Sequence, residues 1–153
     1  MIWMPEEDAD SLVESAMAAV QLDGADIRCP WEVARKFNIR VDALVEGPAH
    51  GRFCLNESLA QIRLNRCEAV NNWRLAHELG HLVLCLAGIL MPHSERLATR
   101  CGRAICLPRR YVLRCLGHMS RGEIVDHHSY LIPAEHLDER VWEVQQSIPG
   151  RVG

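Results

Sequence analysis

One helical stretch constrains this chain more than any other feature. From Asn72, read as an N-cap, the residues Trp73, Leu75, Leu79, Leu82, Val83 and Leu86 recur at helical spacing until Gly88. Into this apolar run the sequence sets Leu75-Ala76-His77-Glu78-Leu79-Gly80-His81. Two imidazoles and a carboxylate are costly to bury without charge partners or hydrogen bonds. The fold must therefore open one face of this helix to an ion or satisfy both histidines inside the core.

The spacing favours the ion. Residues four apart project from one helical face, so both imidazoles can reach a single cation at about 2.0–2.1 Å. Glu78 is rotated by about 100° from His77 and can face an activated water without being a ligand. This is the H-E-x-x-H arrangement of zinc hydrolases, with Glu78 as the catalytic base and one Zn²⁺ per chain. Gly80 leaves room for another backbone near that face, at a cost of about 1 kcal/mol in helix propensity.

A catalytic zinc needs a third protein ligand and one open position. Downstream candidates are His93, Glu95, His118, His127, His128 and His136. Glu95 is the best placed, because it opens a helix over 94–107, capped by Ser94 and stopped by Pro108. Spacing alone leaves open the reading of Glu95 as an ordinary first-turn acid, with His93 the next ligand candidate. Thr99, one turn beyond Glu95, is placed to hydrogen-bond a histidine ligand's second nitrogen or the carboxylate itself. No residue is singled out to stabilise an oxyanion. Tyr111, His118, His127, His128 and Tyr130 are candidates, each read first as a surface or packing residue.

Around this helix the sequence predicts an α+β fold. Helices are expected over 6–22, closed by Gly24, and from Pro30, burying Val33, Ala34 and Phe37. Period-two alternation then predicts three short strands: Ile39 to Leu44, ending at Gly47-Pro48; Gly51 to Leu55; and Gln61 to Asn65, with Ile62 and Leu64 inward. Short connections suggest a small three-stranded antiparallel sheet packed against the H-E-x-x-H helix. A short helix is expected over 109–115, a polar loop over 117–129 and an amphipathic helix over 133–146.

Composition narrows the classes. At 153 residues, 48% hydrophobic and 24% charged, the chain is sized for a single domain (residues 1–153) with one core. A net charge of −3 argues against direct nucleic-acid binding as the main function. The acidic start Met1 to Asp8 does not read as a secretory signal, and the apolar run Leu82 to Met91 is far short of the roughly twenty residues of a membrane span. Seven cysteines without a C-x-x-C pair are read as reduced, mostly buried thiols of a cytoplasmic protein. The four tryptophans are read as packing anchors.

The run Asn72-Trp73-Arg74-Leu75-Ala76-His77-Glu78-Leu79-Gly80-His81 resembles the core motif of the ImmA/IrrE metallopeptidases. The upstream order (Pro30-Val33-Ala34, Ile39-Arg40-Val41, Gly51-Arg52-Phe53, Ile62-Arg63-Leu64-Asn65) is similar to the helix and small sheet that precede that motif. Downstream, Glu95 and Ala98 leading to Ala104-Ile105-Cys106-Leu107-Pro108 resemble the family's glutamate helix. The likeness covers about residues 28–108, with 109–147 as a helical extension. It implies a gluzincin-like site: His77, His81 and Glu95 on zinc, Glu78 as base. It also implies a cytoplasmic endopeptidase of regulatory type acting on a helix-turn-helix repressor or antitoxin. The chain departs from the pattern at Thr99, where the family has Asn or Asp, and at Cys101-Gly102, where it has Phe-Ala, a change expected to loosen packing. The rival expectation is a metal-binding or metal-free interaction module, or a toxin-like component, that sequesters a regulatory partner without cutting it.

Overall fold

The computed structural model describes residues 8–46, 51–89 and 95–149. The elements run α1 (Ala9–Ala19), α2 (Pro30–Lys36), β1 (Arg40–Leu44), β2 (Gly51–Cys54), β3 (Leu59–Arg63), α3 (Glu68–Leu86), α4 (Glu95–Cys106), α5 (Arg109–Leu116), α6 (Arg121–His128) and α7 (Ala134–Gln146). The class is α+β, mostly helical with a small sheet. His93, Ser94, Gly47-Pro48 and the first residues of the expected N-terminal helix lie outside the described residues.

The helix α3 organises the rest. It begins one turn before Asn72, with Cys67 as N-cap and Glu68 in the first turn, where an acid suits the helix dipole. Asn72 is thus interior and buried, not a cap. Its Oδ1 accepts from Trp31 Nε1 at 2.8 Å and its Nδ2 donates to the Leu131 carbonyl at 2.8 Å, so one amide ties three segments together. At the other end Gly88 adopts φ +73°, and the Gly88 and Ile89 amides donate to the Cys85 and Leu84 carbonyls, each at 3.0 Å. That is a Schellman stop, which a left-handed glycine permits. In α1 the corresponding left-handed residue is Gln21 (φ 60°), so Gly24 is not the terminator.

The sheet is mixed, which corrects the antiparallel expectation. Its order is β1-β3-β2, with β1 parallel to β3 and β2 antiparallel to β3. A meander would place β2 in the middle. Here β2 lies beyond β3, so β1 and β3 become neighbours running the same way. Ala60 and Ile62 of β3 are fully buried toward the helices, whereas Leu64 falls past the strand and is exposed. The residues 117–129 are not a loop throughout: α6 forms there from a capping box in which the Ser120 hydroxyl accepts from the Glu123 amide and the Glu123 carboxylate from the Ser120 amide.

Helices α3 and α4 pack closely because glycines let the backbones meet. A Cβ on Gly80 would fall 2.1 Å from the Ala98 carbonyl oxygen, and one on Gly102 would fall 2.9 Å from that of Ala76. Cys101-Gly102 therefore tightens this contact instead of loosening it, and Cys101 is fully buried. One apolar cluster joins α1, α2, the sheet, α3 and α4; a second gathers α5, α6 and α7 around Leu107, Ile124, Ile132, Leu137 and Val141. The seven cysteines are free, but only Cys101, Cys106 and Cys115 are buried, fewer than expected. Trp142 is exposed, so it is no packing anchor. No helix among the described residues is long and apolar enough to cross a membrane.

Candidate metal centre

The i, i+4 spacing on α3 and the start of α4 bring His77, His81 and Glu95 to one point. The Nε2 of His77 lies 2.6 Å from Glu95 Oε2, and the Nε2 of His81 lies 3.0 Å from Glu95 Oε1. One ligand atom from each of the three lies within 4.8 Å of the others. Tetrahedral zinc with bonds of 2.0–2.2 Å holds its ligand atoms about 3.4 Å apart, so small side-chain shifts admit the ion. Two imidazoles and a carboxylate are also the donor set that zinc takes in hydrolases. The residues fit the metal.

Thr99 Oγ1 stands 3.0 Å from His77 Nδ1. Of its two expected partners it meets the histidine, not the carboxylate. A hydrogen bond on Nδ1 leaves Nε2 as the nitrogen turned to Glu95, which fixes the ring for a cation there. Burial pushes the Glu95 carboxyl upward, but hydrogen bonds and charge from His77 and His81 outweigh it, leaving the pKa below the ordinary value. Glu95 is thus an anion, and at 68% exposure it is open to a cation from solvent.

Glu78 is different. It is 4% exposed, and burial, with the Glu95 charge adding to it, raises its pKa to about 7. Gly51 of β2 covers it so closely that a Cβ there would stand 3.4 Å from Glu78 Oε1. A carboxyl near pKa 7 exchanges protons in both directions at neutral pH, as a general base that later acts as an acid must.

These groups line a cavity of about 880 Å³ together with Trp73, Arg74, Cys85, residues Gly51, Arg52 and Phe53 of β2, and the start of α7 at Pro133, Glu135 and His136. The candidates for a second electrophile lie elsewhere. Tyr111 and His128 bond each other, hydroxyl to Nε2 at 2.5 Å, while His128 Nδ1 meets the Ile124 carbonyl at 2.6 Å. His118, His127 and Tyr130 are exposed away from the cavity. Of the histidines considered as a third ligand, His136 lies on the cavity wall but not among the grouped ligand atoms, and Trp73, read as a packing anchor, also lines the cavity. Trp73 sits one turn before His77 on the same face, and that spacing was a signal available in the sequence.

No family model, curated protein or solved structure matches this chain. The functional reading therefore rests on the site and on the motif's resemblance.

Proposed function

We propose that the protein is a zinc-dependent endopeptidase of regulatory type. The observation that carries this is the convergence of His77, His81 and Glu95 beside a buried carboxyl of pKa about 7 in one open cavity. When bound, zinc supplies Lewis acidity, acidifying a water and polarising a carbonyl. Glu78 takes a proton from the water as its oxygen bonds to the carbonyl carbon, holds it, and delivers it to the amide nitrogen as the C–N bond breaks. Thr99 keeps the His77 ring turned inward.

An extended polypeptide suits the cavity. Consecutive residues of a strand turn their side chains to opposite faces. Gly51, Arg52 and Phe53 all border the cavity, so β2 borders it with its backbone edge, the edge not paired to β3. Such an edge hydrogen-bonds an extended segment irrespective of its side chains. The ImmA/IrrE resemblance supplies the substrate class, a helix-turn-helix repressor or antitoxin.

The test pairs metal analysis with one substitution. Purified protein is expected to hold about one zinc per chain. Glu78→Gln is expected to keep the zinc and lose at least the 10²–10⁴-fold typical of general-base catalysis, read as cleavage of a helix-turn-helix repressor or antitoxin substrate. Zinc absent after metal-replete purification defeats the metal reading. Unaltered biological activity in Glu78→Gln points to a sequestering module instead.

A further inference from the structure

We propose that His136 is the hydrogen-bond donor that meets the oxygen of the scissile carbonyl as negative charge develops on it. The inference rests on the peptidase reading and adds the electrophile that the motif does not supply.

Several side-chain donors on the cavity wall are already engaged, Arg52 and Arg74 each through one nitrogen. Thr99 Oγ1 is engaged with His77 Nδ1. Arg74 donates to the Arg63 carbonyl, and Arg52 donates to Gln61 Oε1 at 2.7 Å. Arg52 pairs across the sheet with Gln61, whereas its neighbours Gly51 and Phe53 pair with the buried Ile62 and Ala60. Its side chain therefore lies on the sheet face turned away from the helices. The ring of His136 has no hydrogen bond among the described residues, and Glu135 Oε1 stands 3.8 Å from its Nε2.

Its position is fixed on the wall of the cavity that His77, His81 and Glu95 line. His136 stacks on Trp73 with ring centroids 3.7 Å apart and planes 21° from parallel. Trp73 precedes His77 by one turn, with its ring centroid 6.3 Å from that of His77. The imidazole is thus held flat at the end of the Trp73, His77, His81 face, on the cavity wall. Burial lowers its pKa to about 4, so at neutral pH it offers an N–H without carrying a charge that would repel a cation nearby. A preplaced donor of this kind stabilises charge in the transition state without reorganising.

The test compares two ligands of the zinc-loaded protein: a phosphonamidate peptide, whose tetrahedral anion imitates the charged oxygen, and a peptide hydroxamate, which is planar. His136→Phe keeps a ring on Trp73 and removes the N–H. It is expected to weaken phosphonamidate binding by about 10² or more, the scale of losing one such donor. Hydroxamate and zinc affinities are expected to stay within threefold, and His136→Gln to recover part of the loss. In the wild type, the His136 ring ¹⁵N resonances are expected to shift with phosphonamidate and not with hydroxamate. Equal affinity of wild type and His136→Phe for the phosphonamidate, or equal loss for both ligands, overturns the assignment and leaves the peptidase reading intact. Failure of the wild type to bind either ligand defeats the peptidase reading itself and His136 with it.

Discussion

Two flanks of α4 carry polar clusters built from similar material and finished in different ways. On one flank Glu95 and Thr99 meet His77 and His81 beside the open cavity. On the other, Arg100 and Arg103 reach Glu143 of α7, at 2.8 and 2.6 Å, with the Glu143 side chain 2% exposed. Close by, the fully buried Arg140 of α7 pairs with Asp10 of α1 at 2.5 Å and donates to the Leu107 carbonyl at 2.9 Å. In the sealed cluster every carboxylate has an arginine. In the open cluster two carboxyls and two imidazoles gather, and no arginine or lysine pairs with Glu95 or Glu78 among the described residues. The first cluster supplies its own cations, whereas the second, on the proposed zinc reading, takes one from outside.

The largest effect expected from this difference is on stability. Glu143→Ala removes the buried carboxylate that Arg100 and Arg103, 15% and 12% exposed, both meet, and breaking a buried pair this way costs about 3–5 kcal/mol. Arg100 Nε and Glu143 Oε2 touch without the alignment of a hydrogen bond, which places the Arg103 bond first within the network. Glu95→Ala is expected to do the reverse. It should change the unfolding free energy of the chelator-treated protein by no more than about 0.5 kcal/mol, the scale of an exposed position, yet lower zinc affinity. Urea unfolding with and without zinc measures both. A large loss of stability for metal-free Glu95→Ala would erase the distinction between the flanks.

Helix α7 serves both clusters, and pH separates its contributions. Burial depresses the His136 pKa from 6.5 to about 4, so between these values the unfolded chain binds the proton that the folded chain refuses. Stability then rises with pH across that window, is unaffected by this group above 6.5, and falls as pH drops toward 4, by at most about 3 kcal/mol. His136→Phe, compared with wild type in chelator-treated protein, is expected to remove that part of the acid loss. Equal acid sensitivity of the two proteins would mean that the ring is solvated and the wall of the cavity is open there.

The face carrying His77 and His81 was legible in the sequence because its information is local. The spacing of His77 and His81 on an apolar helix fixes a shared face, and Glu95 needs only the next helix to fold back. What was misread depends on distant partners. Asn72 resembles a cap until its bonds to Trp31 and Leu131, 41 and 59 residues away, are seen. The parallel pairing of β1 and β3 depends on which side of β3 receives β2, and alternation within a strand does not encode that. The Glu143 network joins α4 to a helix 40 residues on, and no short pattern announces it. His136 carried only the general promise of a histidine. Its role on the cavity wall comes from stacking on Trp73.

The helix α6 was missed for another reason, and it gives the smallest prediction. Only Ile124 and His128 of its eight residues are buried, too few to show an apolar period. What starts the helix is the reciprocal pair Ser120 and Glu123, a signal present in the sequence and independent of burial. Ser120→Ala removes the acceptor of the Glu123 amide and is expected to cost about 1 kcal/mol in urea unfolding. Because α6 packs on α5 and α7 and contributes no residue to the cavity, zinc affinity should not change. A shift in zinc affinity for Ser120→Ala would mean that loosening α6 reaches the site through α7, and the open cluster would then depend on the packing of the C-terminal helices.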